Sequence, residues 1–164
     1  MLTTHFHFFC CKEAMMEIRN TVDQKALVVR LTTRASELPR VFGEAYGEIM
    51  AYMGRKGINL SGRAFALYHN TDMENLDIEI GWTIDQDDSG EGRIKFRVIP
   101  GGKVVYALHK GPYSTLENTY NKVMAFIKEK EIKTTEWMYE VYLNSPENTP
   151  EEELKTEIYF PISE

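Results

Sequence analysis

The amino-acid sequence is written twice. Val28 and Val29 in the first half recur as Val104 and Val105, and Tyr46, Met50, Ala51, Tyr52, Ile58 and Tyr68 recur as Tyr120, Met124, Ala125, Phe126, Ile132 and Tyr142. The copies stand about 75 residues apart, too long for a solenoid unit, so the repeat predicts two copies of one supersecondary module packed about a pseudo-twofold axis. A ligand cleft is expected at the seam of such a pair. One break in the pairing is informative: Ala66 in the first copy is matched by Glu140 in the second. One copy carries a carboxylate where its twin keeps a methyl group.

A chain of 164 residues with 43% hydrophobic and 27% charged residues can bury one core and is not a disordered composition. Nine Tyr, eight Phe and two Trp give enough aromatic surface to line a cavity as well as to fill a core. The formal net charge is −6 and no run of Lys or Arg occurs, so the clustered basic footprint that nucleic-acid binding needs is missing. No direct nucleic-acid binding and no membrane partner are expected, and the sequence gives no oligomeric state. Cys10 and Cys11 are adjacent and have no second pair to build a disulfide framework with, which places the chain by default in a reducing cytoplasm. Residues 1–15 lack a basic n-region and a small-residue cleavage site, and read as a weakly ordered extension rather than a signal peptide. His5, His7 and Cys10 within it have no convincing fourth ligand, so no metal site is assigned. No cofactor is expected either.

Residues 16–164 read as a single domain: a first half-module at about 16–84, a connection at 85–92 and a second half-module at about 93–164. In the first, a β-branched stretch from Glu17 to Leu31, interrupted near Asp23-Gln24, predicts a strand. Ser36 is placed to cap a helix, and apolar residues from Leu38 to Met53 recur at helical spacing up to Gly54 or Gly57. Arg63 to His69 and Leu76 to Ile84 alternate as strands, the second with Leu76, Ile78, Ile80 and Trp82 on one face. The acidic stretch Asp85 to Gly92 has no periodicity and reads as a solvated connection. In the second half, Ile94 to Ile99 and Val104 to Leu108 are expected to pair as a tight hairpin through Pro100-Gly101-Gly102. Ser114 with Glu117 resembles a capping box ahead of a second helix. Strands at Glu136 to Leu143 and Leu154 to Ile162 close the chain. The predicted class is α+β, a duplicated β-α-β-β module with an antiparallel sheet and its helices on one face. His69 and His109, at strand ends, read as solvated turn histidines.

The stretch GGKVVYALHKGPYSTLENTYNKVMAFIKEKEI followed by WMYEVYLNSPENTPEEELKTEIYFPI resembles the GyrI-like small-molecule-binding domain, also called the AraC-type effector-binding domain. The likeness runs from about Met16 to the C-terminus. Its specific parts are the Gly-Pro-Tyr turn at 111–113, the Tyr-Glu-Val-Tyr strand at 139–142 and the closing Glu-Ile-Tyr-Phe-Pro-Ile at 157–162. The resemblance implies a hydrophobic pocket at the seam with a buried glutamate. In regulators of that family the domain follows a DNA-binding segment, for which the two modules leave no room here, so the chain resembles a stand-alone member.

In WMYEVYL, Met138, Glu140 and Tyr142 share one face of a strand, and Trp137 and Tyr139 lie on the other. A carboxylate flanked by Met and Tyr, in a segment whose matching positions in the first copy are Ala64, Ala66 and Tyr68, is expected, if its face turns into the cleft, to sit desolvated with a raised pKa. The reading that follows is the binding of lipophilic, cationic or electrophilic aromatic small molecules. Glu140 supplies charge recognition, and Met138, Tyr142, Trp137, Tyr113, Tyr68, Ala66, Trp82 and, on resemblance, Tyr159 line the pocket. The alternative that the resemblance implies is hydrolysis of cyclopropanoid-type electrophiles, with Glu140 as general base and Tyr113 or a neighbouring Tyr orienting water or donating a proton. A third reading is a protein-interaction module such as a gyrase antagonist, against which the dispersal of the acidic residues speaks.

Overall fold

The computed structural model describes residues 15–163, so the expectations for the extension and for His5, His7, Cys10 and Cys11 fall outside the described residues. The elements run β1 (Met15–Thr21), β2 (Gln24–Thr33), α1 (Leu38–Lys56), β3 (Ala64–Tyr68), β4 (Leu76–Thr83), β5 (Ile94–Ile99), β6 (Gly102–Lys110), α2 (Leu116–Glu129), β7 (Met138–Tyr142) and β8 (Lys155–Pro161). All eight strands form one antiparallel sheet in the order β1-β6-β8-β7-β3-β4-β2-β5. The order has a centre. Reading outward from it, β7-β8-β6-β1 mirrors β3-β4-β2-β5, and the middle pair is β3 with β7, where Ala66 lies directly opposite Glu140. The two positions matched by the sequence repeat are therefore cross-strand neighbours at the pseudo-dyad.

The interruption near Asp23 separates two strands that serve different halves. β1 pairs with β6 of the second half, and β5 of the second half pairs with β2 of the first. The hairpin expected between β5 and β6 does not form. The residues have strand character, but each connection carries the chain across to the other module instead of folding it back. The two connections touch where they cross: Gly101 N–H donates to Asp23 Oδ1 at 2.8 Å and Gly102 N–H to Thr21 Oγ1 at 3.2 Å. A Cβ at Gly101 would lie 2.5 Å from the Val22 carbonyl carbon and 2.6 Å from Thr21 O. Gly101→Ala is expected to lower stability by about 1–3 kcal/mol, because backbone on both sides leaves no flexible atom to give way. Gly43→Ala, on the exposed face of α1 with nothing within 4 Å of the new methyl, is expected to raise it by about 0.5–1 kcal/mol. Thermal melts of the two variants test both signs.

Both helices cover the same face of the sheet. Val41, Ala45, Ile49, Tyr52 and Met53 of α1 pack on Leu27, Val29, Ile78 and Ile80, while Val123 of α2 packs on Val105, Ala107 and Ile158. Gly57, at φ 69°, closes α1 in the left-handed conformation that glycine adopts without a Cβ penalty. Neither helix starts as expected. A 3-10 turn precedes each one, at Ala35–Glu37 and Tyr113–Thr115, so Ser36 and Ser114 lie one turn too early to cap and no side chain caps either terminus. The far face of the sheet buries Ala26, Val28, Phe65, Leu67 and Tyr139. Glu79 on that face is buried as well, held by Arg97 and by His69 Nε2 at 2.7 Å. The acidic connection is not a free solvated linker: Asp88 Oδ2 accepts the Tyr52 hydroxyl at 2.6 Å and Asp87 pairs with Lys25 at 2.8 Å. Among the described residues no helix is long and apolar enough to cross a membrane.

Candidate functional site

Glu140 is fixed by its place on a central strand. Met138 and Tyr142 flank it along β7, and Ala66 on β3 and Ile158 on β8 stand on either side of it in register. Its side chain rises on the helix-covered face into the seam between α1 and α2, leaving the residue 5% exposed. Phe42 and Tyr46 reach the seam from α1, Tyr120 from α2 and Tyr113 from the 3-10 turn before α2. The Phe42 and Tyr142 rings meet edge-on with centroids 6.2 Å apart, Tyr113 meets Tyr142 at 6.0 Å, and Phe42 stacks on Tyr46 at 5.9 Å. Tyr46 is held in place by its hydroxyl, which donates to the Phe65 carbonyl at 2.9 Å. Tyr113 is 40% exposed and forms the outer edge of the cluster.

Loss of water dominates the electrostatics. Burial pushes the Glu140 carboxyl up from 4.5 to about 7, and the hydroxyls of Tyr120 and Tyr68 act only partly in the opposite direction. The Tyr120 hydroxyl directs its own hydrogen bond to Met138 Sδ at 3.9 Å, and Glu140 Oε2 has no partner among the described residues. Tyr46, Tyr68, Tyr113, Tyr120 and Tyr142 all hold their protons above the usual phenol range, first through burial, with the negative charge of Glu140 adding to it in every case. The arrangement is a carboxylate at the threshold of ionisation, ringed by five phenols and lacking a positive neighbour. With no cationic partner among the described residues, it can serve as counter-ion to a cation brought in from outside, or as a base toward a water molecule.

The structure brings together Glu140, Tyr142, Met138, Tyr113, Tyr68 and Ala66. Trp82 lies on the same sheet face, in the cross-strand row Trp82–Ala64–Tyr142, two strands away from Tyr142. Trp137 and Tyr159 are on the opposite face, which the two-residue strand period dictates once Glu140 and Ile158 point at the helices. There they form an aromatic ladder: Trp137 stacks on Tyr139 at 6.0 Å, Tyr139 on Tyr159 at 4.6 Å, and Tyr159 meets Tyr106 at 5.2 Å beneath the Arg19 guanidinium. Trp137 also lines an open surface cleft of about 410 Å³ with Pro100, Lys103 and Pro161, away from Glu140. Phe42, Tyr46 and Tyr120 were not singled out from sequence as site residues, although the repeat had already matched Tyr46 to Tyr120.

His109 is not a solvated turn residue. It is 5% exposed, with Nδ1 2.6 Å from Thr119 Oγ1 and Nε2 3.0 Å from the Pro112 carbonyl. The imidazole thereby ties the Gly-Pro-Tyr turn to α2 and sets where Tyr113 begins.

Comparison with known proteins agrees with this architecture. The chain resembles the C-terminal domain of EcmrR (23% identity, TM-score 0.74, 92% of this chain and 98% of that one) and EcmrR in the EcmrR–DNA complex of EcmrR-RPo (24%, TM-score 0.75), covering 92% of this chain but only 58% of that one. It also resembles a hydrolase encoded by lin2189 from Listeria innocua (17%, TM-score 0.65, 94% and 95% covered) and SAV2435 bound to tetraphenylphosphonium (14%, TM-score 0.68, 91% and 94% covered). These identities establish a shared fold. No curated protein sequence matches the chain. The family model for the GyrI-like small molecule binding domain, however, matches residues 14–163, which is nearly the whole sequence, and the chain belongs to that family.

Proposed function

We propose that this domain binds lipophilic organic cations, with Glu140 as the counter-ion and Phe42, Tyr46, Tyr68, Tyr113, Tyr120 and Tyr142 as the surrounding aromatic surface. The observation that carries the reading is the buried Glu140 carboxylate, which among the described residues has an unpartnered oxygen and no cationic side chain to neutralise it. Structural proteins rarely retain such a group, because a buried unpaired charge costs several kcal/mol. A ligand cation replaces the missing partner, and aromatic faces attract it further through their quadrupoles, by about 0.5–2 kcal/mol each. The similarity to SAV2435, whose structure holds tetraphenylphosphonium, supports the same ligand class. Calorimetric titration with tetraphenylphosphonium is expected to show one-to-one binding with micromolar affinity. Heats indistinguishable from dilution, repeated with a panel of aromatic cations, would remove the proposal.

A second reading, hydrolysis of a cyclopropane-bearing electrophile, draws support from a carboxyl poised near pH 7 and from the likeness to the Listeria hydrolase. Glu140 takes a proton from water as the water oxygen bonds to a ring carbon. The ring carbon–carbon bond breaks, its electron pair passes to a conjugated carbonyl oxygen, and Tyr113 protonates that oxygen. The elevated pKa of Tyr113 keeps its proton available for this step. Mass spectrometry of such a compound incubated with the protein separates the two readings: a product heavier by one water means turnover, and intact compound recovered at stoichiometry means capture alone.

A further inference from the structure

Three buried side-chain atoms among the described residues lack a hydrogen-bond partner: Trp82 Nε1, Glu140 Oε2 and Thr156 Oγ1. They sit on different strands, β4, β7 and β8, yet all three fall on the helix-covered face of the sheet. Ile80 and Ile158, each two residues from Trp82 and Thr156 on their own strands, pack in the cores beneath α1 and α2, so the strand period sends Trp82 and Thr156 to that same side. The register places them more closely still. Thr156 is paired with Tyr142, Tyr142 with Ala64 and Ala64 with Trp82, so the two orphaned atoms belong to the ends of one cross-strand row. Glu140 stands in the adjacent row, one pleat along β7 from Tyr142. With neighbouring strands about 4.8 Å apart, the row spans about 14 Å. β3 contributes only methyl groups to these rows at Ala64 and Ala66, and Tyr142 stands in the row between Ala64 and Thr156.

Leaving a buried donor or acceptor unsatisfied costs about 1–3 kcal/mol, and a native fold normally holds few such atoms. Three on one face, within two adjacent rows, form a pattern with chemical content. An indole N–H can only donate, a carboxylate oxygen can only accept, and a hydroxyl can do either. The complementary molecule therefore offers an acceptor at one end, a positively charged N–H near the middle and a further polar group at the other end.

We propose that the physiological ligand is an elongated aromatic amine, protonated and carrying an ether, hydroxyl or carbonyl oxygen that accepts from Trp82 Nε1, with Thr156 Oγ1 bonding a polar group at its far end. This rests on the cation-binding reading above and narrows it. A cation of hydrocarbon alone satisfies the charge of Glu140 but leaves the Trp82 and Thr156 positions unmet, so it is a weaker fit to this site than an oxygen-bearing amine.

The test uses fluorescence titration of the full chain with two probes, an aminoacridinium cation and its methoxy-substituted derivative, against wild type, Trp82→Phe, Thr156→Val and Glu140→Gln. Trp82→Phe keeps an aromatic ring and removes the donor. Thr156→Val keeps the shape and removes the hydroxyl, so it preserves folding even if the Trp82 variant does not. The expected result is that Trp82→Phe or Thr156→Val weakens the methoxy probe at least fivefold more than the parent probe, while Glu140→Gln weakens both. Equal losses for the two probes, or none, would show that water satisfies these atoms or that they serve packing alone, and would overturn the inference while leaving the cation site standing. If Glu140→Gln leaves both affinities unchanged, or if wild type binds neither probe, the underlying cation-binding reading fails and the inference with it.

Discussion

Glu140→Gln is expected to weaken tetraphenylphosphonium binding about 30- to 100-fold at pH 8, corresponding to about 2–2.7 kcal/mol. The substitution preserves shape and polarity and removes only the charge. The measurable signature in wild type is its pH dependence. The carboxyl of the free protein ionises at about pH 7, so affinity for a permanent cation is flat above that value and falls about tenfold per unit below it, because each ligand must first displace a proton. The Glu140→Gln variant lacks the slope. A wild-type affinity constant from pH 5 to pH 9 would mean that the cation does not meet this carboxylate. The same ionisation is useful at neutral pH: an ordinary buried glutamate held far above pH 7 would make every cation pay the cost of deprotonation, whereas this one is half ionised before the ligand arrives.

The same substitution is expected to stabilise the unliganded protein at alkaline pH. A carboxyl whose pKa rises from 4.5 in the unfolded chain to about 7 in the folded one binds its proton more tightly when folded. Between those two values the folded state carries more protons than the unfolded state, so wild-type stability falls as pH rises through the window and levels off above it. The shift corresponds to about 3 kcal/mol. Glu140→Gln removes the titration, so its advantage over wild type grows from about 1 kcal/mol at pH 5 to about 3 kcal/mol at pH 8–9, the latter about 10 °C in melting temperature for a domain of this size. Denaturant melts at the two pH values measure it directly, and parallel curves for the two proteins would show that Glu140 is already solvated. Gaining stability while losing ligand affinity is the behaviour of a group retained for binding.

Much of the architecture was legible in the sequence because its periodicities are local. The spacing of Val41, Ala45, Ile49 and Met53 specifies the buried stripe of α1, and the alternation of Met138, Glu140 and Tyr142 specifies which side chains share a face of β7. The same alternation placed Trp137 opposite Glu140, and a consistent reading of it would have removed Trp137 from the site. The helix starts were misplaced because Ser36 and Ser114 satisfy a capping pattern that the 3-10 turns pre-empt.

The repeat determined that this protein has two related halves and that one departure from their symmetry is an acid, since matched positions and a mismatched charge can be read along a chain without knowing where it bends. Only the tertiary structure decided that β1 and β5 exchange between the halves, that the Ala66 and Glu140 positions meet across the central strand pair, and that Phe42, Tyr46 and Tyr120 converge there from two helices. Strand partners are chosen by burial and hydrogen bonding between segments far apart in sequence, and Pro100-Gly101-Gly102 has the residues of a hairpin turn while the surrounding packing uses it as a crossing. The desolvation that gives Glu140 its chemistry has the same origin: it belongs to no residue in isolation and exists only where the two modules close over the seam.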